Sequence, residues 1–241
     1  MPAPDDAALE AAARARVTLI LGTSDTGKTF LTARLAAALA ARGERVAVVD
    51  ADVGQSEIGP PTTVGLGRVS RALARLGDAE VWALEFVGDT SPVRYIRETA
   101  EATGRLVRRA LDAGFERVLV DTGLESGTRP RVIRLAPSAA VVRRTATRRR
   151  EHRERALREH LARAATLTLE TARVPLRDRR GQPLTDVAEG LLLGVLGAAG
   201  ETLGIARVRA WDAARGVVVV DTPVPAERID ALVAGRATWR Q

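Results

Sequence analysis

The segment GTSDTGKT, residues 22–29, has the residue types and spacing of a phosphate-binding loop, G-x-x-x-x-G-K-[ST]. In such a loop, two glycines let backbone N–H groups approach phosphate oxygens. Lys28, the only lysine among 37 basic residues, is then expected to reach the β- and γ-phosphates of a nucleotide, and Thr29 to bind Mg²⁺. We therefore predict that this segment and the next residue bind ATP: Gly22, Thr23, Ser24, Asp25, Thr26, Gly27, Lys28, Thr29 and Phe30.

The elements on either side of this loop predict an α/β fold. The run RVTLIL (16–21) is apolar and β-branched, as in a buried strand. The run TFLTARLAAALAARG (29–43) places Leu31, Leu35 and Leu39 at helical spacing. A strand, a glycine-containing loop and a helix, in that order, form the context that the phosphate-binding motif requires.

Aspartates follow the ends of two further predicted strands. Asp50 ends the run RVAVVD (45–50), Asp52 lies just beyond it, and Asp121 follows RVLV (117–120). In open α/β sheets, ligands bind at the carboxyl ends of strands. One such aspartate is often only a turn former, but three beside a phosphate loop indicate a metal site and a base. We predict that Mg²⁺ is bound by Thr29, Asp50, Asp52 and Asp121, with Asp52 also acting as the base.

The turn GDTSP, residues 88–92, opens at another predicted strand end. Ser91 followed by Pro92 is typical of a helix N-cap and a first helical residue. The hydroxyls of Thr90 and Ser91 are therefore candidate ligands for a substrate phosphate, although a simple helix cap explains the same pattern.

Four motifs occur in chain order: GTSDTGKTFL, VVDADVGQSEIGPP, FVGDTSP and RTATRRREHRERALREHL. Together they resemble the P-loop polynucleotide 5′-hydroxyl kinases, which include the tRNA-splicing and pre-rRNA-processing kinases of eukaryotes and their archaeal relatives. The Asp-x-Gly-Gln run at 52–55 and the arginine-rich segment are the more specific marks, and the likeness extends over most of residues 16–238.

The resemblance implies ATP-dependent transfer of the γ-phosphate to the 5′-hydroxyl of single-stranded or end-exposed RNA or DNA. It implies that Asp52 activates this hydroxyl, and that Gln55, Thr90 and Ser91 lie on the substrate side. The residues with an implied catalytic role are Lys28, Asp52, Arg144 and Arg149.

The arginine-rich segment, residues 141–163, contains nine arginines and is predicted to form a lid. Thr147 fits an N-cap, so a helix is expected to begin near residue 148, with Arg149 in its first turn. The resemblance makes Arg144 and Arg149 the two lid arginines, and a helix start between them lets both converge on one anion. Five further arginines of the segment are expected to be solvated, paired with glutamates, or in contact with a nucleic-acid backbone: Arg148, Arg150, Arg153, Arg155 and Arg158.

We therefore predict an α/β P-loop NTPase with a mostly parallel sheet flanked by helices, an arginine-bearing helical lid and a small C-terminal β-rich addition. The predicted division is an N-terminal tail (1–14), a kinase core (15–172) whose lid spans about 141–165, and a C-terminal α/β extension (173–241) packed on the core. Compared with the family pattern, the segment 124–143 is short by about one helix and one strand.

Two other functions remain open from the sequence. One is a catalytically weak, ATP-binding scaffold in RNA processing, which the short segment 124–143 favours. The other is a P-loop ATPase or small-molecule kinase of another branch, which would need neither the Asp-x-Gly-Gln run nor paired lid arginines. RNA or DNA preference and oligomeric state are also left open.

Composition restricts the location and the kinds of site. The 241 residues include no cysteine, which excludes disulfides and cysteine–metal sites. The start of the chain lacks the basic and apolar regions of a signal peptide, and the apolar stretch at 190–200 is too short to span a bilayer. We therefore predict a cytoplasmic protein with no membrane partner.

Overall fold

The computed structural model describes residues 6–22, 25–70, 73–91, 94–122 and 145–240. The helices in this part of the chain are α1 (Asp6–Arg14), α2 (Lys28–Ala41), α3 (Ile96–Asp112) and α4 (Ala146–Leu161). The first five strands are β1 (Val17–Ile20), β2 (Val46–Asp50), β3 (Thr63–Val69), β4 (Glu80–Phe86) and β5 (Arg117–Asp121). The later strands are β6 (Ala165–Glu170), β7 (Leu176–Arg177), β8 (Leu191–Leu196), β9 (Thr202–Asp212), β10 (Val217–Thr222) and β11 (Ala231–Thr238).

A single mixed sheet runs through the described residues in the order β1-β5-β2-β3-β4-β9-β8-β11-β7, with β10 pairing β9 and β6. Strands β1, β5 and β2 are parallel, so Asp50 and Asp121 stand side by side at the carboxyl ends of β2 and β5. Strands β3 and β4 continue the sheet in antiparallel pairing. The sheet is therefore parallel where the predicted phosphate loop emerges and antiparallel over much of the remainder.

Helices cover both faces of the first five strands. Strand β2 (VAVVD) is buried along its whole length, as expected for a strand with helices on each side. On one face, Leu35 and Leu39 of α2 pack with Val46 and Val48, and α1 joins this cluster. On the other face, α3 packs against the alternate residues of β2 and β5. The predicted N-terminal tail (1–14) thus contains a helix that contributes to the core.

The C-terminal strands, β6–β11, build a second core of their own. Strand β6 lies before the predicted boundary at residue 172, yet it pairs with β10, so it belongs to this group in the sheet. Residues 173–240 contain strands and one short 3-10 helix, Ala226–Arg228, so this segment is β-rich and the predicted α/β character is wrong for it. The exact domain boundaries stay a prediction.

The predicted cap of α3 is wrong. The helix begins at Ile96, with Tyr95 at the N-cap, whereas Ser91 lies in a turn in which its N–H donates to Asp89 Oδ1 at 2.9 Å. Pro92 lies outside the described residues. The Asp89 carboxylate accepts from the Ser91 N–H in a local turn, which is common for aspartate, and the helix begins only five residues later.

Close packing of the segment 51–62 on β3 gives a stability prediction. A Cβ at Gly65 would overlap the carbonyl oxygen of Ile58, so we expect Gly65→Ala to lower the free energy of unfolding by about 1–3 kcal/mol. Gly104 lies inside α3, where the nearest atom to an added Cβ is 3.5 Å away, so Gly104→Ala should raise stability by about 0.5–1 kcal/mol. Urea unfolding of both variants checks this, and an unchanged midpoint for Gly65→Ala would contradict it.

Candidate active site

The phosphate loop, residues 22–29, connects β1 to α2 as the sequence predicts. Gly27 is the N-cap of α2 and has φ 89°, a left-handed conformation that favours glycine. Because glycine offers no side-chain acceptor, the N–H groups of the first helical turn are suited to an anion. A Cβ at Gly22 would lie 3.1 Å from Thr26 Oγ1, so the loop is tightly folded there. Thr23 and Ser24 lie outside the described residues.

Asp121 and Thr29 meet beside this loop. The Thr29 side chain hydrogen-bonds the buried Asp121 carboxylate, and Lys28 lies close enough to interact with it electrostatically. Burial raises the pKa of Asp121 to about 6, and the nearby Asp52 and Glu57 carboxylates add to the rise, while Thr29 and Lys28 oppose it. A cation bound nearby would stabilise the charged form of a buried carboxylate that has acidic neighbours, so this position suits a cation site.

Asp50 holds the segment that follows it, residues 51–62, which we call the Asp52 loop. Its Oδ1 accepts a hydrogen bond from Asp52 N at 3.0 Å, and its Oδ2 accepts from Glu57 N at 2.7 Å and Ile58 N at 3.1 Å. Burial, followed by the charges of Asp121 and Asp52, raises the pKa of Asp50 well above its usual value. Both oxygens are thus engaged in ordering the loop, and the metal role assigned to Asp50 stays a prediction.

Asp52 lies at the start of this loop and lines the central cavity. Its Oδ1 accepts hydrogen bonds from Gly54 N at 3.1 Å and Gln55 N at 2.9 Å, which fix the orientation of the carboxylate. Gln55 lines the same cavity, and its buried Oε1 accepts no hydrogen bond from the described residues. The loop therefore presents a carboxylate and an amide oxygen together.

The lid helix α4 closes over this side of the cavity. Arg149 Nη2 lies 2.6 Å from Asp25 Oδ2 of the phosphate loop, and Gln55 Nε2 donates to the Arg149 carbonyl oxygen at 3.0 Å. The helix begins at Ala146, and its N-cap is Thr145, whose side chain accepts from Arg148 N at 3.2 Å. The predicted N-cap at Thr147 is therefore wrong by two residues. Arg144 lies outside the described residues.

The other end of the lid helix is anchored on the C-terminal strands. Leu157 and Leu161 pack against a cluster that includes Ile205 and Trp239. The His160 ring lies against β9, where a Cβ added at Gly204 would be 3.6 Å from its Nε2. Burial lowers the pKa of His160 to about 4. The lid is thus fixed at its C-terminal end by apolar packing and at its N-terminal half by polar contacts.

A cavity of about 680 Å³ lies between the phosphate loop, the Asp52 loop and the lid helix. It brings together most of the predicted residues that the structure describes: Asp25, Thr26, Gly27, Lys28, Thr29, Phe30, Asp52, Gln55, Asp121 and Arg149. Thr90 and Ser91 do not line it. Its far wall, formed by Glu57 and the turn Ala74–Leu76, was missed in the sequence because an exposed turn with one arginine carries no motif.

The oxygen ligands beside the phosphate loop suit a Mg²⁺ ion that nucleotide phosphates also bind. They are less suited to a metal that protein side chains hold alone. Thr29, Asp52 and Asp121 supply hard oxygen ligands next to the phosphate loop. Across the described ranges, no group of three or more histidine, aspartate or glutamate residues forms a self-sufficient metal site. Mg²⁺ commonly takes one or two carboxylates and completes its octahedron with phosphate oxygens and water. These residues therefore fit a nucleotide-bound Mg²⁺.

Within the described ranges, no helix has both the length and the apolar character that a bilayer crossing needs.

Comparison with known sequences finds similarity over the part of the chain that contains the phosphate loop. Residues 22–127 match the model described as the mRNA cleavage and polyadenylation factor CLP1 P-loop. A polyribonucleotide 5′-hydroxyl-kinase of Pyrococcus abyssi is 38% identical over 104 residues, 43% of this chain and 29% of that protein. One of Methanocaldococcus jannaschii is 36% identical over 110 residues, 46% of this chain and 30% of that protein. The matched stretch therefore spans less than a third of each relative.

Comparison with solved structures extends the fold assignment to nearly the whole chain. A structure of wild-type Clp1p in complex with Pcf11p superposes with a TM-score of 0.76 at 15% identity, covering 97% of this chain and 78% of that one. The predicted P-loop NTPase fold is thereby confirmed, with a mixed sheet whose parallel strands carry the phosphate loop.

The buried His160 in the anchored end of the lid helix predicts that the free energy of unfolding depends on pH. An unfolded chain protonates His160 near pH 6.5, whereas the buried ring resists protonation down to about pH 4. Between these values the unfolded state binds more protons, so the free energy of unfolding should fall as pH falls, by about 3 kcal/mol from this group. His160→Gln should remove that part of the pH dependence.

Denaturant unfolding of wild type and His160→Gln from pH 7.5 to 4 measures the difference. The matched control is His152→Gln, at the only other histidine of the chain. Parallel stability profiles for wild type and His160→Gln would show that the ring is not buried as described.

Proposed function

We propose that this chain, whose residues 22–127 match the CLP1 P-loop model, is an ATP-dependent polynucleotide 5′-hydroxyl kinase. One observation carries the proposal: the phosphate loop, the Asp52 loop and the lid arginine line one cavity, and the same arginine joins them through Asp25 and Gln55. A simple nucleotide-binding module needs only the first of these parts. Transfer to a second substrate needs a base and a lid as well.

The donor side of the reaction is supplied by the phosphate loop. Its backbone N–H groups and Lys28 would bind the phosphates of ATP, with Phe30 at the rim of the cavity. Thr29, Asp121 and Asp52 would hold Mg²⁺, which when bound neutralises charge on the β- and γ-phosphate oxygens. Asp50 supports this set by ordering the loop that carries Asp52.

On the acceptor side, Asp52 would act as the base. Its carboxylate accepts the proton of the 5′-hydroxyl as the hydroxyl oxygen bonds to the γ-phosphorus and the bond to the β-phosphate oxygen breaks. The products are ADP and a 5′-phosphorylated strand. Gln55 lines the cavity next to Asp52 and would lie on the substrate side of the base.

The lid arginine would stabilise the charge that spreads over the γ-phosphoryl oxygens in the transition state. Arg149 is held 2.6 Å from Asp25, so it already lies next to the loop that binds the phosphates. The transferring phosphoryl group would compete with the Asp25 carboxylate for this guanidinium. Arg144 takes part by family resemblance, as predicted from the sequence.

The substrate is proposed to be a single-stranded or end-exposed RNA or DNA with a 5′-hydroxyl, because the reacting groups lie under a lid. Arg148 and Arg155 of the lid helix and Arg75 on the opposite wall give the cavity positive side chains for backbone phosphates. Thr90 and Ser91 would contribute through the Asp52 loop and not as cavity-lining ligands. A cytoplasmic location remains part of the proposal.

Direct phosphate transfer tests the proposed activity. Wild type with Mg²⁺ and γ-labelled ATP should label 5′-hydroxyl oligonucleotides of RNA, DNA or both. Asp52→Asn should reduce kcat by about 10²–10⁴-fold because it removes the base, and Lys28→Ala should weaken both ATP binding and transfer. Asp112→Asn, at the end of α3, is the control aspartate substitution and should leave transfer unchanged.

Isothermal titration with ATP and Mg²⁺ accompanies the assay. Wild type that binds ATP and labels neither RNA nor DNA would overturn the kinase proposal in favour of a binding scaffold. Steady ATP hydrolysis without oligonucleotide labelling would instead favour an ATPase of another branch.

The proposed role of Arg149 predicts that its substitution affects kcat much more than ATP affinity. Arg149→Ala should lower kcat by about 10³-fold or more while ATP affinity changes only a few-fold, because the contact strengthens in the transition state. The neighbouring Arg150 is exposed and pairs with Glu154 on its own helix, so Arg150→Ala should change neither quantity appreciably. Equal losses in kcat and ATP affinity for Arg149→Ala would mean that the arginine makes a ground-state contact only.

A further inference from the structure

We propose that Gly235, in β11 of the C-terminal strands, is a positioning residue for the Asp52 carboxylate. The C-terminal strands lie outside the matched residues 22–127, and none of the motifs used above includes Gly235. The residue acts through a series of close backbone contacts that passes from β11 to residues 87–91 and then to the Asp52 loop. The inference rests on the proposed kinase activity, in which Asp52 is the base.

The first contact in this series joins Gly235 to Gly88. The Gly88 carbonyl oxygen accepts hydrogen bonds from Arg236 N at 2.7 Å and Ala237 N at 3.1 Å. A Cβ at Gly235 would overlap this oxygen and would lie 2.8 Å from the Gly88 Cα. Gly88 itself has φ 87° and is buried. Two glycines thus face each other where the C-terminal strands meet the P-loop part of the fold, and a side chain on either would push the backbones apart.

The second contact ties Gly88 to the Asp52 loop by hydrogen bonds. The Thr62 carbonyl oxygen accepts from Val87 N at 2.8 Å and from Gly88 N at 3.0 Å. The Thr62 N–H in turn donates to the Val53 carbonyl oxygen at 2.9 Å. A displacement of Gly88 is therefore transmitted across Thr62 to the residue next to Asp52.

The third contact reaches the same loop by packing. A Cβ at Gly54 would lie 2.5 Å from the Thr90 carbonyl oxygen, so residues 87–91 press directly on Gly54. Gly54 N and Gln55 N are the donors that orient Asp52 Oδ1. Movement of Thr90 thus changes the direction of the carboxylate and the position of Gln55 together.

This arrangement predicts an effect on catalysis that is separate from ATP binding. The contact series contains no residue of the phosphate loop and does not include the Arg149–Asp25 ion pair. A displacement of about 1 Å at a reacting group can cost about 100-fold in rate. Gly235→Ala should therefore lower kcat by about 10- to 100-fold while the Kd for ATP measured without Mg²⁺ stays within about two-fold of wild type.

The experiment measures kcat, the Kd for ATP and the thermal midpoint for wild type, Gly235→Ala and Gly88→Ala. Gly88→Ala introduces the same collision from the other side, where its Cβ would lie 2.8 Å from the Gly235 Cα, and it serves as the kinetic test if Gly235→Ala does not fold. The control is Gly216→Ala, in the turn between β9 and β10, where φ is 61° and an added Cβ would lie 3.3 Å from Thr171 Oγ1, away from Gly88 and the lid. The control should lower the thermal midpoint while leaving kcat near that of wild type.

A double-mutant cycle distinguishes positioning from a general loss of stability. Gly54→Ala disturbs the far end of the same contact series, so its effect on kcat and that of Gly235→Ala should be clearly less than multiplicative. Multiplicative effects, or a loss of kcat in Gly216→Ala equal to that in Gly235→Ala, would overturn the inference. Absence of transfer by wild type would refute the proposed function instead, so the two failures are distinguishable.

Discussion

The buried carboxylate of Asp50 is the constraint on which the rest of the site depends. It ends β2, next to Asp121 at the end of β5, and accepts hydrogen bonds from the backbone of Asp52, Glu57 and Ile58. Burying a carboxylate is costly unless donors surround it, and here the donors come from the chain that follows. The loop must therefore fold back over the sheet, and in doing so it brings Asp52 and Gln55 to the phosphate loop.

The lid helix forms the second side of the cavity and connects the Asp52 loop to other parts of the structure. Its polar contacts, through Arg149, reach the phosphate loop and the Asp52 loop, whereas its apolar contacts, through Leu157, reach the C-terminal strands. The two kinds of contact differ in their response to a ligand. An ion pair with a half-exposed arginine is readily exchanged for a phosphate, while a packed leucine has no such alternative. The C-terminal strands thus support the site without lining its cavity.

The sequence alone was sufficient to predict features whose residues lie close together in the chain. The phosphate loop, its flanking strand and helix, and the strand-end aspartates each lie within one short segment, and the structure brings them together as predicted. Features that depend on contacts distant in sequence were missed. The cavity wall at Arg75 and the packing of His160 against β9 both follow from contacts between segments that are remote in the chain.

Helix α4 is attached at both ends, and its packed C-terminal end is the point about which it could pivot. The helix has 16 residues and is therefore about 24 Å long, and Arg149 lies about 12 Å from Leu157, where the packed turn begins. A swing of about 10° around that turn would move Arg149 by about 2 Å, enough to break its ion pair with Asp25. Even a small rotation of this helix would therefore separate the lid arginine from the phosphate loop.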